Sequence, residues 1–240
     1  MKKDRDIFSE FQDSLKGFEG NLHVLDTAVP LEKQLAYFRY SENIRNNQEE
    51  ENLEEQIEIL NSADSSFDAI KYAMAFLAIS GDVKAYRALE NYNKTSNADL
   101  NDWASLSLLQ AKITLESEFS EEKPVFISTG LGGKANQLRF FAFFKSSNLE
   151  PFTTYQRTLI EKEFPFFINK CQGTLEDIKI ESNYFTLLFL VTLHVELKKM
   201  LEEAVDECNQ YGDFINTHFV VTNVKVFNEE DIEKELRKNG

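Results

Sequence analysis

The amino-acid sequence predicts an α+β protein: an all-helical first part, residues 1–122, followed by an antiparallel sheet layered with helices, residues 123–240. Two observations carry this expectation. As far as Leu115 the apolar residues recur at three- and four-residue intervals, the spacing of amphipathic helices. From Val125 onward they gather into short aromatic and β-branched runs, separated by two longer helical stretches.

Composition narrows the possibilities. With 42% hydrophobic residues in 240, the chain can fill real cores, so wholesale disorder is not expected. The formal charge of −15 is unevenly placed: residues 1–122 hold 12 Lys+Arg against 24 Asp+Glu, and residues 123–240 hold 14 against 17. So acidic a surface repels phosphate backbones and argues against nucleic acid as a partner, leaving open a local basic patch on the second half. No apolar run reaches 18 residues, so no membrane span is expected. The opening "MKKDRDIFSEFQDSL" mixes acidic with basic residues and lacks an apolar block, unlike a secretory signal. Cys171 and Cys208 sit far apart in apolar helical patterns and read as buried free thiols in a reducing cytoplasm.

Taken in order, "IFSEFQDSL" and "LEKQLAYFRYSENI" have amphipathic helical spacing. The acidic run "NNQEEENLEEQIEIL" reads as a solvated helix or mobile loop, because it lacks the glycine and regular Asp/Asn spacing of a calcium loop. "SSFDAIKYAMAFLAISGD" opens with a capping-box pattern, Ser65 and Asp68. It sets Ala69, Ile70, Ala73, Met74, Leu77 and Ala78 on one face and stops at Gly81. "DVKAYRALENYNK" follows, with Val83, Tyr86, Leu89 and Tyr92 apolar. Asn97 can cap a third helix whose face holds Leu100, Trp103, Ala104, Leu108, Ala111 and Leu115. A second stripe, Leu106, Leu109 and Ile113, predicts burial on two sides, as in stacked helices. Residues 69–112 of this stretch resemble HEAT-type helical repeats over roughly one and a half repeats, with Asp102 standing where a basic residue is common. The resemblance implies a scaffold for contacting proteins or packing another domain, and no catalytic residues.

The second half reads "QLRFFAFFK" as a strand and "TTYQRTLIEKEFPFFINKC" as a helix kinked or stopped at Pro165. "EDIKIES" and "YFTLLFLVTL" are strands joined at Ser182-Asn183. "VELKKMLEEAVDECNQYG" is a helix with Leu197, Met200, Leu201, Ala204, Val205 and Cys208 on one face and Gly212 as its stop. "HFVVTNVKVF" is a last strand and "EEDIEKELRK" a charged terminal helix or tail. This β-α-β-β-α-β order over residues 137–228 resembles a ferredoxin-like split βαβ unit, which implies that the first and third strands are central. The strands agree. "EDIKIES" alternates as an edge does, whereas the first and third are apolar on both faces. Two helices cover one face only, so Phe141 and Phe143 on the other need a cover: the helical half, a second copy of the chain, or a ligand. They are the candidate interface residues.

Between "VFIST" and "LRFFAFF" lies the glycine loop Gly130-Leu131-Gly132-Gly133-Lys134-Ala135. A phosphate-binding P-loop needs a longer glycine spacing, a hydroxyl after the lysine and a following helix; here Ala135 and a strand follow instead. The loop reads as a hairpin turn, with "VFIST" entering and competing with the last strand for the same neighbour. An anion cradle from Gly130, Gly132, Gly133, Lys134 and Arg139 is the alternative.

His23, His194 and His218 are isolated, and no Cys-x-x-Cys, Gly-x-Ser-x-Gly or His-Glu-x-x-His occurs, so no catalytic residue, metal or cofactor is expected. The resulting expectation is a non-enzymatic cytoplasmic scaffold acting through a protein partner or as a homo-oligomer. The alternative is a regulatory module sensing a small molecule or anion at the glycine loop.

Overall fold

A computed structural model of the chain describes residues 22–47, 52–119, 125–127 and 129–238. The helix expected at "IFSEFQDSL" lies outside the described residues, as does the middle of the acidic run. The described chain forms two compact units, one ending at Thr129 and one beginning at Gly130.

The first unit is helical. It holds β1 (Leu22–Val24), α1 (Leu31–Asn46), α2 (Leu53–Asn61), α3 (Phe67–Ile79), α4 (Val83–Thr95), α5 (Asn101–Phe119) and β2 (Val125–Ile127). Helix α3 is its centre: the apolar residues Ile70, Ala73, Met74, Ala75, Phe76, Leu77 and Ala78 are all buried, as α1, α2, α4 and α5 pack around it. Its cap is Ser66, whose Oγ accepts from the Ala69 amide at 3.2 Å, one residue later than the Ser65 expected. Asp82 caps α4, and Asn97 receives the Asp99 and Leu100 amides ahead of α5, as expected. The fully buried Tyr37 donates to Gln110 Oε1 at 2.6 Å and sets its ring edge-on to Trp103 at 5.1 Å. Burial pushes its hydroxyl pKa far up. The expected pairing of "VFIST" with the next strand is not formed: β2 runs parallel to β1, with Val24 opposite Ile127.

The second unit holds β3 (Gly133–Lys134), β4 (Gln137–Lys145), α6 (Thr154–Lys170), β5 (Thr174–Ile180), β6 (Tyr184–Thr192), α7 (Leu197–Asn209), β7 (Val220–Thr222) and α8 (Glu229–Arg237). Its sheet runs β5-β6-β4, with β4 central and both β3 and β7 on its far edge. The two short strands share that edge end to end. Lys134 and Gly133 face Gln137 and Leu138, and the three residues of β7 face Phe141–Phe143. This is the ferredoxin-like strand order, with the second and fourth main strands at the edges. Helices α6 and α7 cover one face. There Phe144 is fully buried, stacked on Phe185 with ring centroids 4.7 Å apart and edged by Phe164 at 4.9 Å. Helix α6 runs through Pro165 without stopping, because the buried Phe164, Phe167 and Ile168 anchor it on either side. The last strand is only three residues, shorter than "HFVVTNVKVF" suggested; ahead of it Asn209 pins both the amide and the carbonyl of Ile215 in a loop.

Candidate functional site

Side chains alternate along β4, so Arg139, Phe141, Phe143 and Lys145 all project from the sheet face away from α6 and α7. Register extends this face across the sheet. Tyr184 lies beside Lys145, Thr186 beside Phe143 and Leu188 beside Phe141, and β5 adds Asp177 and Lys179 in the same rows. The result is two phenylalanines between two cations, flanked by a half-buried tyrosine whose ring is 5.6 Å from that of Phe143.

The chain's own C-terminal segment covers the face. Phe227 sits 5.0 Å from Phe141 and 6.3 Å from Phe143, and Leu131, Ile232 and Leu236 complete a small apolar cluster. Phe141 and Phe143 are thereby 4% and 2% exposed. The sequence carried a signal for this cover: Ile232 and Leu236 are four apart, one stripe in an otherwise charged helix. The acidity of the segment obscured it.

The cations are held in different ways. Arg139 grips Glu176 through Nε and Nη2 at 2.5 and 2.9 Å and donates from Nη1 to the Leu131 carbonyl at 2.7 Å. That hydrogen bonding, with the charges of Arg139 and Lys134, holds the Glu176 carboxyl below its usual pKa. Lys145 is 8% exposed, and its Nζ donates to the Lys238 carbonyl and, at 3.5 Å, to that of Glu235. It therefore caps the negative end of the α8 dipole. At the other end Lys225 pairs with Asp231 at 2.6 Å, while Asp231 closes a capping box with Asn228. The hydrogen bond from Lys225 leads in lowering the Asp231 pKa. A polar hollow of about 500 Å³ opens beside Lys145, walled by Ser147, Asp213, Asn216 and His218.

The glycine loop packs against backbone. A Cβ on Gly130 would stand 1.8 Å from the Val224 carbonyl oxygen, so that position must stay glycine. The Leu131 amide donates to Asn223, and the Gly132 carbonyl, on a residue with φ of +64°, accepts from the Arg139 amide. Gly133 and the exposed Lys134 form β3, and Ala135-Asn136 make the turn into β4. Of the expected cradle, Lys134 and Arg139 converge on Glu176. His194 and His218 are exposed, and among the described residues no group of three or more His, Cys, Asp or Glu could hold a metal ion.

No protein-family model matches the chain, and no curated protein matches it. Solved structures do resemble it. A protein of Deinococcus radiodurans provisionally named a transposase is 12% identical, covering 42% of this chain and 88% of its own, with a TM-score of 0.37. A REP-associated tyrosine transposase bound to a REP hairpin is 9% identical, covering 48% of this chain and 67% of its own, with a TM-score of 0.34. Similarity this low assigns neither an activity nor a residue. Both neighbours are named as transposases, one of them bound to a REP hairpin, and beside that finding the expectations of a non-enzymatic scaffold and of an improbable nucleic-acid partner are set aside.

Proposed function

We propose that the second unit binds a single nucleic-acid strand across the β4–β6 face. One observation carries this reading: Arg139, Phe141, Phe143 and Lys145 alternate on one central strand beside Tyr184, a row of stacking rings between cations. Aromatic rings on a sheet accept any base by stacking, at about 1–3 kcal/mol per base, while cations at the margin track the phosphates. Lys145 and the exposed Lys179 are the phosphate contacts: Lys179 meets the exposed Asp177 at 3.5 Å, a loose surface pair that a phosphate can replace, whereas two hydrogen bonds from Arg139 tie it to Glu176. The acidity of the chain does not oppose this, because most of the excess negative charge lies in residues 1–122. The first unit we read as HEAT-like helix pairs, supported by the all-round burial of α3. Two free cysteines support a reducing compartment.

The test is fluorescence anisotropy of the full chain with a labelled 12-nucleotide oligo-dT. Two phosphate contacts predict a shallow salt slope, about −1.4 in log K against log salt. Tyr184→Ala should weaken binding about tenfold, and Lys179→Ala should flatten the slope by about half. Binding that ignores Tyr184→Ala, or no saturable binding at any salt, would overturn the reading.

A further inference from the structure

We infer that α8 is a built-in competitor for that same face, a strap that keeps it closed until a strand displaces it; the inference rests on the strand-binding reading above. The groups of α8 stand where those of a strand would. Ile232 and Leu236, with Phe227 just before the helix, cover the rings of Phe141 and Phe143 on which bases would stack. The Glu235 and Lys238 carbonyls, at the negative end of the helix dipole, accept from the Lys145 ammonium that would otherwise meet a phosphate. Glu229, Glu230 and Glu233 face outward, so the docked helix repels an approaching strand.

The docking is light. Helix α8 has nine residues, none of them buried, and Ile232 and Leu236 are its apolar anchors. A helix this short does not persist in water alone, so lifting and unfolding are a single event. The opposite face of the sheet is sealed independently by α6 and α7 through Phe144, Phe164 and Phe185. The strap can therefore leave without opening that core. Once it leaves, Lys145 loses its carbonyl partners and becomes available to a phosphate.

The experiment uses the full-length chain, its Leu236→Ala variant and an Ile232→Ala/Leu236→Ala variant, with two readouts. The first is hydrogen exchange of residues 229–237 without ligand, against that of β4 and β6. The second is affinity for the labelled 12-nucleotide oligo-dT. Because apparent affinity scales with the open fraction, Leu236→Ala should speed α8 exchange and tighten binding by the same factor, about tenfold for a half-buried leucine. The double variant should do more of both, with β4 and β6 still slow. Faster exchange with unchanged, measurable affinity overturns the strap and leaves strand binding standing. Faster exchange in α8 with no binding by any of the three proteins overturns the strand-binding reading itself. Unchanged α8 exchange, or β4 and β6 opening together with α8, also overturns the strap, since α8 would then be an inseparable part of the fold.

Discussion

Replacing Phe144 and Phe141 by alanine, one at a time, measures how unequal the two faces of the sheet are. The side chains are chemically identical and three positions apart on β4, but their surroundings differ. Phe144 is fully buried, stacked on Phe185 at 4.7 Å and met by Phe164 and Phe219 at 4.9 and 5.0 Å. A buried Phe→Ala change costs about 3–5 kcal/mol, and ring pairs place this site at the upper end. Phe141 is nearly as buried, but its cover is made of partly exposed residues, Phe227, Ile232 and Leu236, which can settle into the space. Its loss should cost about 2–3 kcal/mol. Urea unfolding followed by far-UV circular dichroism gives both values, with the slope m checked for constancy. Trp103 fluorescence follows the helical unit separately. Equal losses at the two positions, or a loss at Phe144 below about 1 kcal/mol, would refute the picture of one sealed core and one light cover.

Other consequences follow from single contacts. Gly130→Ala forces a methyl into the Val224 carbonyl oxygen, so the Leu131–Asn223 pairing should break and stability fall by about 2 kcal/mol or more, read as a lowered urea midpoint. Glu176 is held below its ordinary pKa by Arg139, so its contribution is present above the unfolded carboxylate range and fades as pH falls through the lowered folded value. Glu176→Gln should accordingly reduce stability at neutral pH and flatten its acid limb below about pH 4.5, seen in melts across pH. Tyr37→Phe removes the donor to the buried Gln110 and should cost the helical unit about 1–2 kcal/mol by Trp103 fluorescence, with little change in the sheet unit.

Much of the fold was readable because two periods differ so clearly. The three- and four-residue spacing of α3 to α5 and the alternation of β5 each follow from burial on known sides. The double-sided apolar character of β4 required a cover on both faces, and both covers exist. What supplies the second one was obscured: α8 is so acidic that its two apolar residues carry little weight in any average, though their spacing of four was visible. The partner of β2 was hidden for another reason. A three-residue apolar run shows that it pairs but not with what, and β1 lies about a hundred residues away. The expected rivalry of "VFIST" with the last strand does not arise, because β2 pairs with β1 and the far edge of β4 is shared end to end by β3 and β7. In the site, Arg139 and the two phenylalanines were singled out from sequence, but Lys145, two positions further along the same face, was passed over. Its role depends on the α8 carbonyls that receive it, and only the folded chain brings these to it.

Strand binding on this face is tested most directly by locating the contact. A photo-crosslinking oligo-dT irradiated with the full chain, digested and sequenced by mass spectrometry, should attach within residues 137–145 and 184–192, centred on Phe141, Phe143 and Tyr184. Crosslinks confined to the outer surfaces of α6 and α7, or to the helical unit, would contradict it.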